Sequence, residues 1–437
     1  MSKHKLIEQL DSRRADWPAW LAELQTAAAD ALTLTGLPHK KVERWRFTPL
    51  RPLTSGEFAR AGAEPDKDSW RRVLDAQLGD IGDSWIIPMV DGVVLAAPEP
   101  APAGVRVSRL RDAVAAQPEL MEQTLGRIAP AQQFAALNAA LFADGLVIEI
   151  DAGAVIDKPI HIVSLAAAGS EDTVCYPRVL VIAHARAQVP LIETHLAAAP
   201  TARSLANPVS EIAVGDGARV DHVRVHMGGE RSYNVGMLAA RVGRDGVYRS
   251  RLAAFGGTLT RIDVQIDLAD LGAETSVDGI YHAGRGEHVD FSLRIDHKAP
   301  RCTSNMNYRG ILDGNGEAVW DGMTVVHRGA QHTVAHQQNR NLLLSDDASV
   351  NTKPHLEIDT DDLVASHGAT VGSLDDQQLF YLRSRGLEHD QARAALTYAF
   401  VQELLDGIGP QVLRGRLGAL LRQRLPAGDT IGEICHE

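Results

Sequence analysis

Hydrophobic and polar positions change their period twice along this chain. In residues 2–33, Leu6, Leu10, Trp17, Leu21 and Leu24 recur at roughly helical spacing in a stretch rich in Ala, Leu, Glu and Gln. Gly36-Leu37-Pro38 breaks that pattern, and a charged stretch from Lys40 leads into Trp45, Phe47 and Leu50. Residues 98–104 read as a linker, and a second helical patch covers 110–141. From about 145 to 358 the period becomes two. Leu146-Val147-Ile148-Glu149-Ile150, Val179-Leu180-Val181-Ile182, Arg219-Val220-Asp221-His222-Val223-Arg224-Val225, Val264-Gln265-Ile266-Asp267-Leu268 and Met323-Thr324-Val325-Val326 all predict strands. The turn sequences Gly215-Asp216-Gly217-Ala218, Gly243-Arg244-Asp245-Gly246 and Leu271-Gly272-Ala273-Glu274 start about 28 residues apart, a spacing typical of stacked units. Beyond Asp375 the helical period returns. Asp375 suits the N-cap of a helix over 376–385 that Gly386 would end. Asp390 suits the cap of a second helix over 391–405, with Leu396, Phe400 and Leu404 on one face. A third helix is predicted over 412–425, with Leu413, Leu417, Leu420 and Leu421 set among arginines.

No long helical segment interrupts the middle region, which excludes a doubly wound sheet with its crossover helices. An antiparallel sandwich or barrel and a parallel β-helix remain. The repeat favours the solenoid, whose coils bury their inner faces only by stacking. The predicted architecture is mainly β with α: an N-terminal helical region over 1–143 with a linker near 98–104, a parallel β-helix over 144–370, and a C-terminal helical region over 371–437.

Charge narrows the function. The 437 residues carry 44 Lys and Arg against 56 Asp and Glu, a formal charge of −12, which disfavours binding to nucleic acid or an anionic membrane by charge alone. No uncharged apolar run is long enough to span a bilayer. Residues 1–17 mix both charges without an apolar core, so no signal peptide is expected. Cys175, Cys302 and Cys435 are far apart and form no Cys-x-x-Cys pair, as suits a reducing compartment. A cytoplasmic protein is expected.

Catalytic signatures are missing. The chain has no phosphate-binding P-loop, nucleophile elbow or His-Glu-x-x-His motif, so any ATPase would be a partner. Ten of the 17 histidines fall between His222 and His367, which raises the alternative of a stand-alone metal-dependent enzyme on a β scaffold. No His-x-His occurs. His222 and His226, like His332 and His336, are four apart. On a strand that is about 13 Å, beyond one metal whose bonds to nitrogen are about 2.0–2.1 Å. These pairs are read as ladder or surface residues of the coils. Cys302, near His297, and Cys175 are read as small buried residues, and Cys435 as a tail thiol. Aromatic residues at 5% count weakly against a solenoid that stacks sugars on rings.

One block is far more specific. It runs Lys353-Pro354-His355-Leu356-Glu357-Ile358, then Asp361-Asp362-Leu363-Val364-Ala365-Ser366-His367-Gly368-Ala369-Thr370-Val371-Gly372, then Leu379-Phe380-Tyr381-Leu382-Arg383-Ser384-Arg385-Gly386. This resembles the SufB/SufD family of the SufBCD iron–sulfur cluster assembly system, with strings closer to its SufD branch. The likeness extends through Asn339-Arg340-Asn341-Leu342-Leu343-Leu344-Ser345, Phe134-Ala135-Ala136-Leu137-Asn138 and Glu43-Arg44-Trp45-Arg46-Phe47-Thr48, hence over nearly the whole chain.

The resemblance implies a right-handed parallel β-helix between helical ends. It also implies a non-catalytic scaffold that works with a SufB-like paralogue and a SufC-like ABC-type ATPase, or forms a homodimer when alone. No stably bound cofactor is implied, only transient iron or a nascent cluster. His367 matches the family's histidine implicated in cluster building at the interface with SufB, and a neutral imidazole can ligate iron at cellular pH. Glu357 and Asp362 supply nearby carboxylates. ATPase docking would fall to the C-terminal helices, through Leu379, Phe380, Tyr381, Arg383, Arg385, Leu396 and Phe400. Many relatives carry Cys two residues before the histidine. Here that position is Ala365, so sulfur chemistry would fall to the paralogue.

Overall fold

The alternating segments become strands that go in turn to two sheets. A computed structural model describes residues 5–12, 17–62, 68–97, 99–167, 171–198 and 203–430 of the chain; Pro98 and Cys435 lie outside them. One sheet runs from Val105–Arg109 and Leu146–Ile150 through Ser232–Val242 and His288–His297 to Glu317–Val326 and Ser349–Ile358. The other runs from Trp85–Val90 and Ile160–Ala166 through Arg219–Gly228 and Glu274–Ala283 to Thr333–Leu343 and Leu363–Gly372. Along the repeat, neighbours within a sheet are parallel and in register, as Val264 beside Leu293 and Ile280 beside Arg309 illustrate. The chain therefore winds as a parallel β-solenoid of about 7 turns with helices at both ends.

The turn sequences become one corner of each coil. There the N–H groups of Arg186, Gly217, Asp245, Gly272, Arg301 and His332 donate to the carbonyls of Asp216, Arg244, Leu271, Pro300, Gln331 and Asp362 in the next coil, at 2.7–3.1 Å. All six donors have φ between 52° and 70°. Only two are glycine. The other four hold a left-handed conformation that costs a non-glycine residue of order 1 kcal/mol, sustained by the stacked hydrogen bonds.

Three apolar layers result. Ile148, Val181, Leu238, Val264, Phe291 and Trp320 fill the interior of the solenoid, called here the lumen. The helices Ala19–Thr35 and Gln133–Leu141 bury Leu21, Leu32 and Leu137 on one outer face, against Leu180 and Ile182. The helices His389–Asp406 and Gln411–Gln423 bury Val401, Leu404, Leu413 and Leu417 on the other, against Ile192, Val225 and Phe255.

Two local expectations shift. The second C-terminal helix is capped by Glu388, whose extended backbone and reciprocal pairing with Gln391 close a capping box; Asp390 lies in its first turn instead. The early region is not purely helical, because the apolar run Trp85–Val90 adds a strand beside Ile160–Leu165.

Candidate functional site at the open end of the solenoid

Ser349–Ile358 and Leu363–Gly372 are the last strands of the two sheets, and each has a strand neighbour on one side only. Their free edges present unpaired N–H and C=O groups, a template for a further strand. Among the described residues no strand covers them, and Ile358, Val364 and Val371 stay 43%, 60% and 47% exposed. In the preceding coil the equivalents of Ile358 and Val371, Val326 and Asn341, are buried.

His367 lies midway along the terminal strand, opposite Gln337 of Thr333–Leu343. In-register parallel neighbours point to the same face. Gln337 points into the lumen, where its Nε2 donates across to Thr324 Oγ1 of the other sheet at 2.5 Å. His367 therefore belongs to the lumen face at the open mouth, and it is exposed. Ala365 shares that face through its pairing with the buried Ala335.

The two carboxylates go elsewhere. Asp362 forms the last corner: its carbonyl accepts from the His332 N–H at 2.7 Å and its carboxylate lies 3.0 Å from His332 Nδ1. Glu357 is in the opposite sheet, in register with Val325 and an odd number of positions from the lumen residue Thr352, so it faces outward. The structure does not gather His367, Glu357 and Asp362 into one cluster.

Beneath His367 the lumen turns polar, which the alternation pattern did not reveal. Asn339 Nδ2 donates to Tyr281 OH at 3.3 Å, Asn341 Nδ2 to Asn339 Oδ1 at 2.5 Å, and Thr352 Oγ1 to Asn339 Oδ1 at 2.9 Å. Phe291, Tyr308 and Trp320 line the coils below. Sequence supplied one signal, the run of amides in Gln337-Gln338-Asn339-Arg340-Asn341, since amides in a strand's buried positions must find partners in the neighbouring coils.

The motif Glu43 to Thr48 docks on the outer face of the other sheet. Trp45 is buried and its Nε1 donates to Gln133 Oε1 at 2.7 Å. The Arg261 guanidinium stacks 3.7 Å from the Trp45 ring centre and is paired with Asp290 and Asp263. Glu43 reaches Lys353 in the last coil of that sheet. This string thus holds the N-terminal region against the coils that end at the open mouth.

In the helix Asp376–Ser384, Asp375 accepts from the Gln377 and Gln378 N–H groups as its cap. Leu379 turns inward, while Phe380 and Tyr381 are 74% and 56% exposed and Arg385 stacks on the Tyr381 ring. Arg383 is exposed beside them. Leu396 is half-buried, and Phe400 packs on the solenoid beneath Arg309. Arg309 also binds the Phe400 carbonyl and the Glu403 carboxylate, and Arg424 pairs with Glu287 at 3.1 Å. These ion pairs tie the C-terminal helices to the coils.

The other histidines are dispersed through the solenoid. His222 bonds to Tyr248 at 2.9 Å and His226 stacks on His195 with ring centres 4.5 Å apart. Burial would raise the Glu193 carboxyl, but Arg224, His195 and His222 hold it well below the usual carboxylate range. Arg224 thus supplies the positive charge there. His332 is a corner residue, and His336 bonds to Ser366 at 2.7 Å. Cys175 and Cys302 are buried, and burial pushes both thiols up. Among the described residues no three His, Cys, Asp or Glu side chains come together to hold a metal ion. No described helix is long and apolar enough to cross a membrane.

Known proteins resemble this chain over most of its length. Residues 165–400 match the family described as SUF system FeS cluster assembly, SufBD core domain, and residues 6–162 match the SufBD protein N-terminal region. An iron–sulfur cluster assembly SufBD family protein of Synechocystis is 31% identical over 414 residues, which cover 91% of this chain and 89% of the relative. The iron–sulfur cluster assembly protein SufD of Escherichia coli is 30% identical over 402 residues, 91% of each chain. SufD of Bacillus subtilis is 23% identical over 95% of this chain and 96% of its own. The chain belongs to the SufBD family of iron–sulfur cluster assembly proteins.

Proposed function

We propose that this chain is a non-catalytic scaffold subunit of a cytoplasmic SufBC2D-like complex, and that its open solenoid end joins a SufB-like paralogue. The observation that carries the reading is that end itself: two unpaired terminal strands with exposed Val364, Val371 and Ile358, and His367 at the mouth of the lumen. Strand addition by a related solenoid would satisfy the free backbone groups and continue the coils.

A SufC-like ATPase, one of two in the complex, docks on the C-terminal helices. Phe380 and Tyr381 supply an exposed aromatic anchor, with Arg383 and Arg385 at its rim and Leu379, Leu396 and Phe400 backing it. ATP-driven closure of the two ATPases moves those helices. The Arg309–Glu403 and Arg424–Glu287 pairs pass the motion to the coils and open the His367 site. Iron and the nascent cluster are cargo at that site, and the thiolates come from the paralogue because Ala365 has none to give. Glu357 and Asp362 support the site through the field and the last corner, outside direct ligation. Alone, the chain closes its open end on a second copy.

Co-expression with SufB- and SufC-like partners tests the reading. A stable three-protein complex is expected at micromolar concentration; separate elution of the three proteins overturns it.

A further inference from the structure

Gln337 presents a buried hydrogen-bond acceptor that no described residue uses. The side chain is 3% exposed. Its Nε2 donates to the His355 backbone carbonyl at 3.0 Å as well as to Thr324 Oγ1. A backbone carbonyl only accepts, so this contact fixes the orientation of the amide and leaves Oε1 pointing away from it. Oε1 is buried with no hydrogen-bond partner among the described residues. The adjacent strand places His367 in register with Gln337 on the same lumen face, at the strand spacing of about 4.8 Å.

We propose that Gln337 is the positioning residue for His367. When a partner covers the open end, one ring N–H of His367 donates to Gln337 Oε1. That bond selects a single neutral tautomer and turns the other nitrogen, with its lone pair free, toward the incoming ferrous ion. Ligating histidines work best with their second nitrogen held in this way. The inference rests on the proposed role of His367 as an iron ligand. It also accounts for an amide stacked above the apolar Met306 and Val277.

The test uses the assembled complex and ferrous ion under anaerobic conditions. Gln337→Met keeps the length and removes both the acceptor and the donor; Gln337→Glu keeps the acceptor and loses the donation to His355. Ferrous affinity is expected to fall about 10- to 100-fold in Gln337→Met and to recover in Gln337→Glu. A purely structural role for Gln337 gives the opposite order, since only the glutamate sets a carboxylate against the His355 carbonyl. Ring 15N shifts in the unsubstituted complex, assigned by subtraction of His367→Ala, give a reading that needs no Gln337 variant. One dominant tautomer at His367 is expected, and an equal mixture overturns the proposal. If His367→Ala binds ferrous ion normally, or no complex forms, the underlying role of His367 fails as well. If His367→Ala loses binding while Gln337→Met keeps it, only the positioning role fails.

Discussion

Glu43 and Lys353, 310 positions apart in the chain, form an ion pair at 2.5 Å that joins the N-terminal motif to the last coil of one sheet. Lys353 holds the Glu43 carboxyl below its usual range, chiefly through the hydrogen bond. Glu43 is 76% exposed, so the pair is screened by water and contributes little. The buried partner contact behaves differently. Arg261 and Asp290 are 1% and 0% exposed, and removing one leaves an uncompensated charge. Lys353→Ala is expected to leave the urea midpoint almost unchanged, whereas Arg261→Ala costs about 3–5 kcal/mol. Equal effects would mean that the motif is not anchored through Arg261.

Stability should fall in acid through the buried imidazoles. Burial lowers the pKa of His297 from 6.5 to about 4. Between those values the unfolded chain takes a proton that the folded chain refuses, so the contribution is fully present above about pH 6.5 and is lost as pH falls toward 4. Asp91 and Asp278, both raised to about 6 by burial, act in the opposite sense, so the readout is a difference. His297→Gln should lose less stability than the unsubstituted chain from pH 6.5 to 4, by roughly 3 kcal/mol at about 1.4 kcal/mol per pKa unit. Parallel curves in urea melts at a series of pH values would remove His297 from the acid response.

His367→Ala should spare folding and assembly. The side chain is exposed and no apolar core depends on it, so the stability change is expected to stay within about 0.5 kcal/mol. Cluster formation by the complex, followed by its absorbance after iron and sulfide are supplied, should be lost. A normal yield would remove the histidine from the chemistry.

Pairing of the open end should be sensitive to an inward charge. Val371 lies on the lumen face of the terminal strand, beside Asn341, and is 47% exposed. Val371→Lys leaves the isolated chain intact but places an ammonium where a partner strand would bury it. Size-exclusion chromatography with the SufB-like partner should show weakened association; an unchanged elution would locate the joint elsewhere.

ATPase docking is separable from the fold. Phe380 and Tyr381 contribute little to the apolar layers, so Phe380→Asp with Tyr381→Asp is expected to change stability by no more than about 0.5 kcal/mol while abolishing capture of the SufC-like ATPase. Retained capture in a pull-down would move the docking site off this helix.

Much of this was legible along the chain because it depends on local period and short-range chemistry. Strand alternation, turn sequences about 28 residues apart and the Asp375 cap are properties of a few neighbouring residues, and they fixed the solenoid and its helical ends. The cap of the second C-terminal helix was misplaced by two residues because Glu388 and Asp390 offer similar side chains; only the backbone angles separate them. Strand Trp85–Val90 was missed because a short apolar run without alternation suits a helix or a strand equally.

What the amino-acid order determined by itself was therefore the repeat, the helical ends and the family likeness carried by the His367 block. What only tertiary structure decided was which residues meet. Glu43 reaches Lys353 because the N-terminal segment folds back along the solenoid. Glu357 faces outward and Asp362 turns the last corner although both are near His367 in sequence. Gln337 lies beside His367 because successive coils bring residues about thirty apart into register. A one-dimensional pattern states which face a side chain takes; the stacking of coils, set by hydrogen-bond register and apolar burial over the whole chain, states what it faces.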